Sequence, residues 1–134
     1  MFIADKTLRS FPTITGVCLI SGVFDLTPIK IAPAVNTNGC LQISDEDVRN
    51  LSPLLLGANQ RQTVHCPAIV AVGGLESDEF RRQSGEYAKI LQSALAGGVQ
   101  LIEVEGKDHF DIIESLRFPE TPLMESLKVL CWQE

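Results

Sequence analysis

Basic residues are scarce and scattered. Eleven Lys and Arg stand against 17 Asp and Glu, a formal net charge of −6, and Arg81-Arg82 is the one adjacent pair. Nucleic-acid binding draws on clusters of such charges, so no nucleic-acid partner is expected and the acidic balance is that of a solvated surface. Long apolar runs are lacking too. None approaches the ~20 residues of a bilayer-spanning helix, so no membrane partner is expected. The opening Met1-Phe2-Ile3-Ala4-Asp5-Lys6 has no basic stretch followed by an apolar one, which argues against a secretory leader there. Four cysteines (Cys18, Cys40, Cys66 and Cys131) form neither a CxxC pair nor a zinc-type spacing. No metal or other cofactor is therefore expected, and the thiols fit the reduced state of a cytoplasmic protein. Cys18 and Cys131 lie in apolar stretches, where a free thiol packs as a small hydrophobe.

What remains is ordinary globular material. With 134 residues, 45% hydrophobic and 21% charged, the chain is long enough for one domain with a real core. No internal repeat or low-complexity tract interrupts it. Residues 1–10 form a short amphipathic piece that suits the tail of a helix. Residues 17–21, closed by Gly22, are a continuous apolar run of the kind buried on both faces of a parallel sheet. Residues 22–38, with Pro28, Pro33 and an Asn-rich turn, read as loop with one helical turn. Ser44 is placed to cap a helix whose Asp47 favours the positive end of the dipole, and that helix should stop before Pro53.

Residues 54–66 read as a connection leading to a strand over 68–72. Over 79–96, Phe80, Tyr87, Ile90, Leu91, Ala94 and Leu95 recur at three- and four-residue spacings, one apolar helical face, which Ala96-Gly97-Gly98 would close as a C-cap. A strand over 99–104 and two short helices over 109–116 and 122–130 complete the pattern. Strand, long connection, strand, helix, strand, helix predicts an α/β fold: about three parallel strands with right-handed crossovers and flanking helices.

In open parallel sheets chemistry gathers at the carboxyl ends of the strands. Glu76 follows one such end and His109 the next, and neighbouring strands lie ~4.8 Å apart, within reach of both loops. A carboxylate accepting from His Nδ1–H would fix the tautomer and stabilise an imidazolium. The alternative is an exposed loop acid beside a histidine that caps the following helix. His65, between Val64 and Cys66, reads as structural or exposed, and Asp108 as a loop or capping residue.

Four ordered segments carry a family resemblance. Gly73-Gly74-Leu75-Glu76-Ser77-Asp78-Glu79-Phe80-Arg81-Arg82-Gln83-Ser84 resembles the acid loop of the kynurenine formamidase (arylformamidase) group of α/β-hydrolases. Ser21-Gly22-Val23-Phe24-Asp25-Leu26 is similar to the end of that group's sixth strand, and Arg49-Asn50-Leu51-Ser52-Pro53 to its Arg-Asn-x-Ser-Pro. Asp108-His109-Phe110 resembles the motif holding its catalytic histidine. The resemblance covers about two thirds of the chain and implies the C-terminal half of an α/β-hydrolase fold, with 1–134 a single partial domain. It implies His109 as general base and Glu76 as the acid orienting it. The group more often has Asp at that place, and Asp78 is the rival acid, although alignment through Glu79-Phe80 favours Glu76.

The departure from the group is a missing nucleophile. Neither Gly-x-Ser-x-Gly nor Gly-x-Cys-x-Gly occurs, and the group's oxyanion loop and first five strands fall outside the resemblance. Cys18 sits inside a strand without a second glycine, and Ser21, Ser77 and Ser84 lack an elbow. The expectation is a chain inactive alone, which, completed by the missing half, would act on a small-molecule acyl substrate, an N-formyl arylamine of tryptophan catabolism or a small ester. A different expectation is a non-catalytic domain whose strand 17–21 offers an unpaired apolar edge. Two such edges pairing isologously would build a homodimer with a sheet of about six strands.

Overall fold

The computed structural model describes residues 14–57 and 66–132. Residues 1–10 and His65 lie outside them. Three strands, Val17–Ile20 (β1), Ala68–Gly73 (β2) and Val99–Val104 (β3), form a parallel sheet in the order β1-β2-β3. Val17 stands beside Ala68 and Ile20 beside Ala71, while β3 runs with β2 from Ala68↔Val99 to Gly73↔Val104. The α/β architecture follows from β2. Its six residues Ala-Ile-Val-Ala-Val-Gly are apolar without interruption and all buried, so both faces of the sheet need cover.

Helices on both faces provide that cover. Val70 packs with Phe24, Tyr87, Ala88 and Leu91 on one side, and Ile69 and Ala71 pack with Ile112, Leu123 and Leu130 on the other. Each of the larger aliphatic side chains and Phe24 contributes roughly 1.5–3 kcal/mol by leaving water. The first layer comes mainly from Asp78–Ala94, the second from Asp111–Glu114 and Pro122–Cys131. In chain order the helices are Thr27–Ile31 (α1), Asp45–Leu51 (α2), Pro53–Gly57 (α3), Asp78–Ala94 (α4), Asp111–Glu114 (α5) and Pro122–Cys131 (α6).

Strand β1 differs from expectation. Its four residues are all half-buried rather than enclosed, because β1 is at one edge of the described sheet and only β2 has a strand on each side. The connection read over 54–66 begins with α3. Pro53 opens it with the φ a first helical residue needs, Leu54 N–H donates to the Phe24 carbonyl (2.8 Å), and the Ser52 hydroxyl, fully buried, accepts from Leu26 N–H (3.0 Å). Helix α2 starts as its sequence indicates. Asp47 N–H donates to Ser44 Oγ (3.0 Å) while the Asp47 carboxylate accepts from Ser44 N–H (2.8 Å).

Helix α4 buries a face partly different from the apolar one. Tyr87 and Leu91 enter the core as expected, joined by Gln83, Ser84 and Ala88, whereas Phe80, Ile90, Ala94 and Leu95 are half-buried. The helix ends at Ala94 on an extended Leu95, so the glycine pair is not its cap. Gly97 is small for another reason: a Cβ there would lie 2.4 Å from the backbone of Cys66 and Pro67, at the start of β2. Gly98, at φ +83°, turns the chain into β3. Cys18 is half-buried and its thiol is pushed up by that burial, while Cys131 is exposed at the end of α6 rather than packed. Among the described residues no helix is long and apolar enough to cross a membrane, and no cluster of His, Cys, Asp or Glu is placed to hold a metal ion.

Candidate active site

Two loops meet at the carboxyl ends of β2 and β3. The acid loop folds tightly because Glu76 N–H donates to the Gly73 carbonyl (3.1 Å). Backbone bonds tie it to the next loop, from Gly74 N–H to the Val104 carbonyl and from Leu75 N–H to the Lys107 carbonyl, each 2.9 Å. Gly73 must be glycine for this approach, since a Cβ would stand 2.3 Å from the Lys107 carbonyl oxygen. Asp108 shapes the other loop, its carboxylate accepting from Phe110 N–H and Asp111 N–H at 2.8 Å, which holds it below the usual carboxylate range and starts α5.

So positioned, Glu76 and His109 meet. Glu76 Oε2 lies 2.9 Å from His109 Nδ1. Its Oε1 accepts from Ser21 Oγ (2.5 Å) and from Gly73 N–H (2.8 Å). Burial opposes ionisation of this carboxyl, whose side chain is 1% exposed, but the bonds from Ser21, Gly73 and His109 outweigh it and hold it below the ordinary glutamate value. An ionised carboxylate has no proton to give, so His109 Nδ1 is the donor. In the neutral ring the Nε2 lone pair is then available as a base. The imidazole stays 46% exposed, tilted against the Phe80 ring at 5.0 Å between centroids, with Phe110 edge-on at 5.5 Å.

The other candidates stand apart. The Asp78 side chain is 95% exposed and pairs with Arg81, its neighbour one turn on. Ser77 caps α4 by accepting from Phe80 N–H, and Ser84 is fully buried with no partner for its hydroxyl. Cys18 lies within β1, as its sequence context indicates. Among the described residues Glu76 is the one side chain hydrogen-bonded to His109.

No family model matches the chain. Two fish proteins named kynurenine formamidase do: that of Salmo salar is 38% identical over 106 residues, and that of Danio rerio 39% over 106 residues. The chain is a partial relative of the kynurenine formamidases. In both fish matches the aligned part is 78% of this chain and 35% of the relative, so the chain spans about a third of their length. The kynurenine formamidase of Drosophila melanogaster is 24% identical over 123 residues, 91% of this chain and 41% of that protein.

Ser21 is the site residue that sequence reasoning missed. Its sequence context bears only on a nucleophile role, for which it lacks an elbow. Its hydroxyl instead holds the acid, from the end of a different strand. The signal was present in the Ser-Gly step that closes β1, since a polar residue at the carboxyl end of an apolar strand points into the region where a parallel sheet gathers its chemistry.

Proposed function

We propose that this chain carries the acid and base of a formamidase-type serine hydrolase, with Glu76 orienting His109, and that it does not hydrolyse substrate alone. The bond between His109 Nδ1 and Glu76 Oε2 carries the reading, because it leaves Nε2 as the proton acceptor a Ser-His-acid triad requires. In that chemistry a serine hydroxyl attacks the formyl or ester carbonyl carbon as Nε2 takes its proton. The tetrahedral oxyanion is held by fixed N–H donors, the amine or alcohol departs with the proton from Nε2, and water then releases the acid by the same steps. The serine and the donors come from residues outside this sequence. Substrates of this class are N-formyl arylamines such as N-formylkynurenine, in tryptophan catabolism, or small esters. A reducing compartment such as the cytoplasm suits the four free thiols.

Hydrolysis of N-formylkynurenine and p-nitrophenyl acetate by the chain alone is expected at background rate. A rate that disappears in His109→Ala would overturn the claim of inactivity. Where DNA upstream of Met1 encodes an in-frame Gly-x-Ser-x-Gly, the longer protein tests the roles. There His109→Ala and Glu76→Gln should each lower kcat by roughly ten-thousand-fold. Hydrolysis untouched by His109→Ala would remove the assignment.

A second reading rests on β1. Its outer side has no strand partner among the described residues, and Val17, Cys18, Leu19 and Ile20 are uncharged, the composition of an edge that pairs with another. A non-catalytic domain would then self-associate through this edge. Light scattering at micromolar concentration should give a dimer or larger species; a clean monomer counts against it.

A further inference from the structure

Two of the four thiols stand on facing surfaces. Cys18 and Ile20 of β1 pack on the cluster that holds Leu123 and Leu130 of α6, while Leu19 between them packs on the opposite layer. Gly16, two residues before Cys18, lies against Leu130, and a Cβ there would come within 2.7 Å of that side chain. The last turn of α6 therefore crosses the start of β1. Leu127 and Leu130 pack on the same cluster, and Cys131, four residues after Leu127, follows on their side of the helix at its exposed end.

The two thiols differ in access. Cys18 is half-buried, and its thiol is pushed up by that burial and further by the neighbouring Cys131. Cys131 is exposed and is the last residue of α6, where a helix frays and its side chain can approach the strand. An exposed thiol meets a soluble oxidant first, and the half-buried one is left to attack the product. The other cysteines stand elsewhere. Cys40 lies in the loop between α1 and α2, and Cys66 is buried beside Gly97.

We propose that Cys18 and Cys131 form a reversible disulfide tying the edge strand to the closing helix, with a small-molecule disulfide such as oxidised glutathione as the oxidant. The Cys131 thiolate attacks one glutathione sulfur, and a new S–S bond forms as the old one breaks and a glutathione thiolate leaves. The Cys18 thiolate then attacks the Cys131 sulfur and expels the second glutathione. The protein thiols lose two electrons and two protons, and oxidised glutathione becomes two reduced molecules. The bond closes a loop of more than a hundred residues, which restricts the unfolded chain, and it anchors the strand whose Ser21 holds Glu76. Nothing in it depends on the hydrolase reading.

The test exposes the full chain to glutathione buffers of rising oxidised fraction, blocks the remaining thiols and maps peptides by mass spectrometry without reduction. A Cys18–Cys131 cross-linked peptide should appear in the monomer and vanish with dithiothreitol. Urea unfolding should place the midpoint of the oxidised chain higher than that of the reduced one by about 1 M or more. Cys131→Ser, at an exposed position where folding is not at stake, and Cys18→Ala should each abolish both the cross-link and the shift. Cys40→Ser should change neither. Absence of the Cys18–Cys131 peptide, a product that stops at glutathione on Cys131, a cross-link between two chains or through Cys40 or Cys66, or an unmoved midpoint overturns the proposal.

Discussion

Ser21 combines a strained backbone with a buried hydroxyl. Its φ of 49° lies in the left-handed region that costs a non-glycine residue roughly 1–2 kcal/mol. The conformation persists because Ser21 N–H donates to the Ala71 carbonyl (2.8 Å) while the hydroxyl donates to Glu76. A hydrogen bond to a charged group is worth about 1.5–3 kcal/mol, enough to offset the strain. Ser21→Ala keeps the strain and loses the bond, so urea unfolding should show a loss of about 1.5–3 kcal/mol at unchanged m-value. Ser21→Gly loses the same bond but relieves the backbone, and its loss should be smaller. A Ser21→Ala cost below about 0.5 kcal/mol would mean that the bond contributes nothing to the acid's placement.

At the scale of elements, the site depends on how closely the loops after β2 and β3 can approach. Gly73 allows that approach, and Gly85, inside α4, has no such duty: a Cβ there meets nothing within 4 Å. The two glycines should respond oppositely to the same change. Gly73→Ala drives a methyl into the Lys107 backbone and should destabilise by about 1–3 kcal/mol, displacing the His109 ring resonances by NMR. Gly85→Ala stiffens a half-buried helical position with room for the methyl and should stabilise by about 0.5–1 kcal/mol in urea unfolding. Equal effects of the two would show that the loop contact is not what requires Gly73.

At the scale of the whole molecule, the acidic groups set the response to pH. Glu76 and Glu79 are both held below their usual values, Glu79 to about 2, mainly through its bonds to Arg82. A group whose folded value lies below its unfolded one contributes stability above the unfolded value, and that contribution is lost as pH falls through the folded value. Unfolding stability should therefore decline between about pH 4.5 and 2. Glu76→Gln and Arg82→Met should each flatten that decline, Arg82→Met mostly at its acid end. Asp45, Asp47 and Asp108 are also lowered, but all three are fully exposed and solvent screening leaves them little weight. Stability that rises on acidification over this window would contradict the assignment of these carboxylates as stabilising partners.

Much of the fold was legible in local pattern. An unbroken apolar run marked β2, a Ser-x-x-Asp box began α2, and the position of two loops after two strands put Glu76 and His109 at one end of the sheet. Such signals act over a few residues, where hydrogen-bond reach and side-chain period decide the outcome. Tertiary structure alone decided the rest. That β1 is half-buried follows from its place at the described edge, not from its composition. Gly97 answers to the backbone of Cys66 and Pro67, about 30 residues away along the chain, and not to the helix before it. Ser21 and Glu76 are 55 residues apart, and their bond exists because β1 runs in register beside β2. The composition and spacing of the chain determined an α/β sheet with an acid and a histidine at its carboxyl end. Which groups hold that acid was decided by strand register, a property of no single segment.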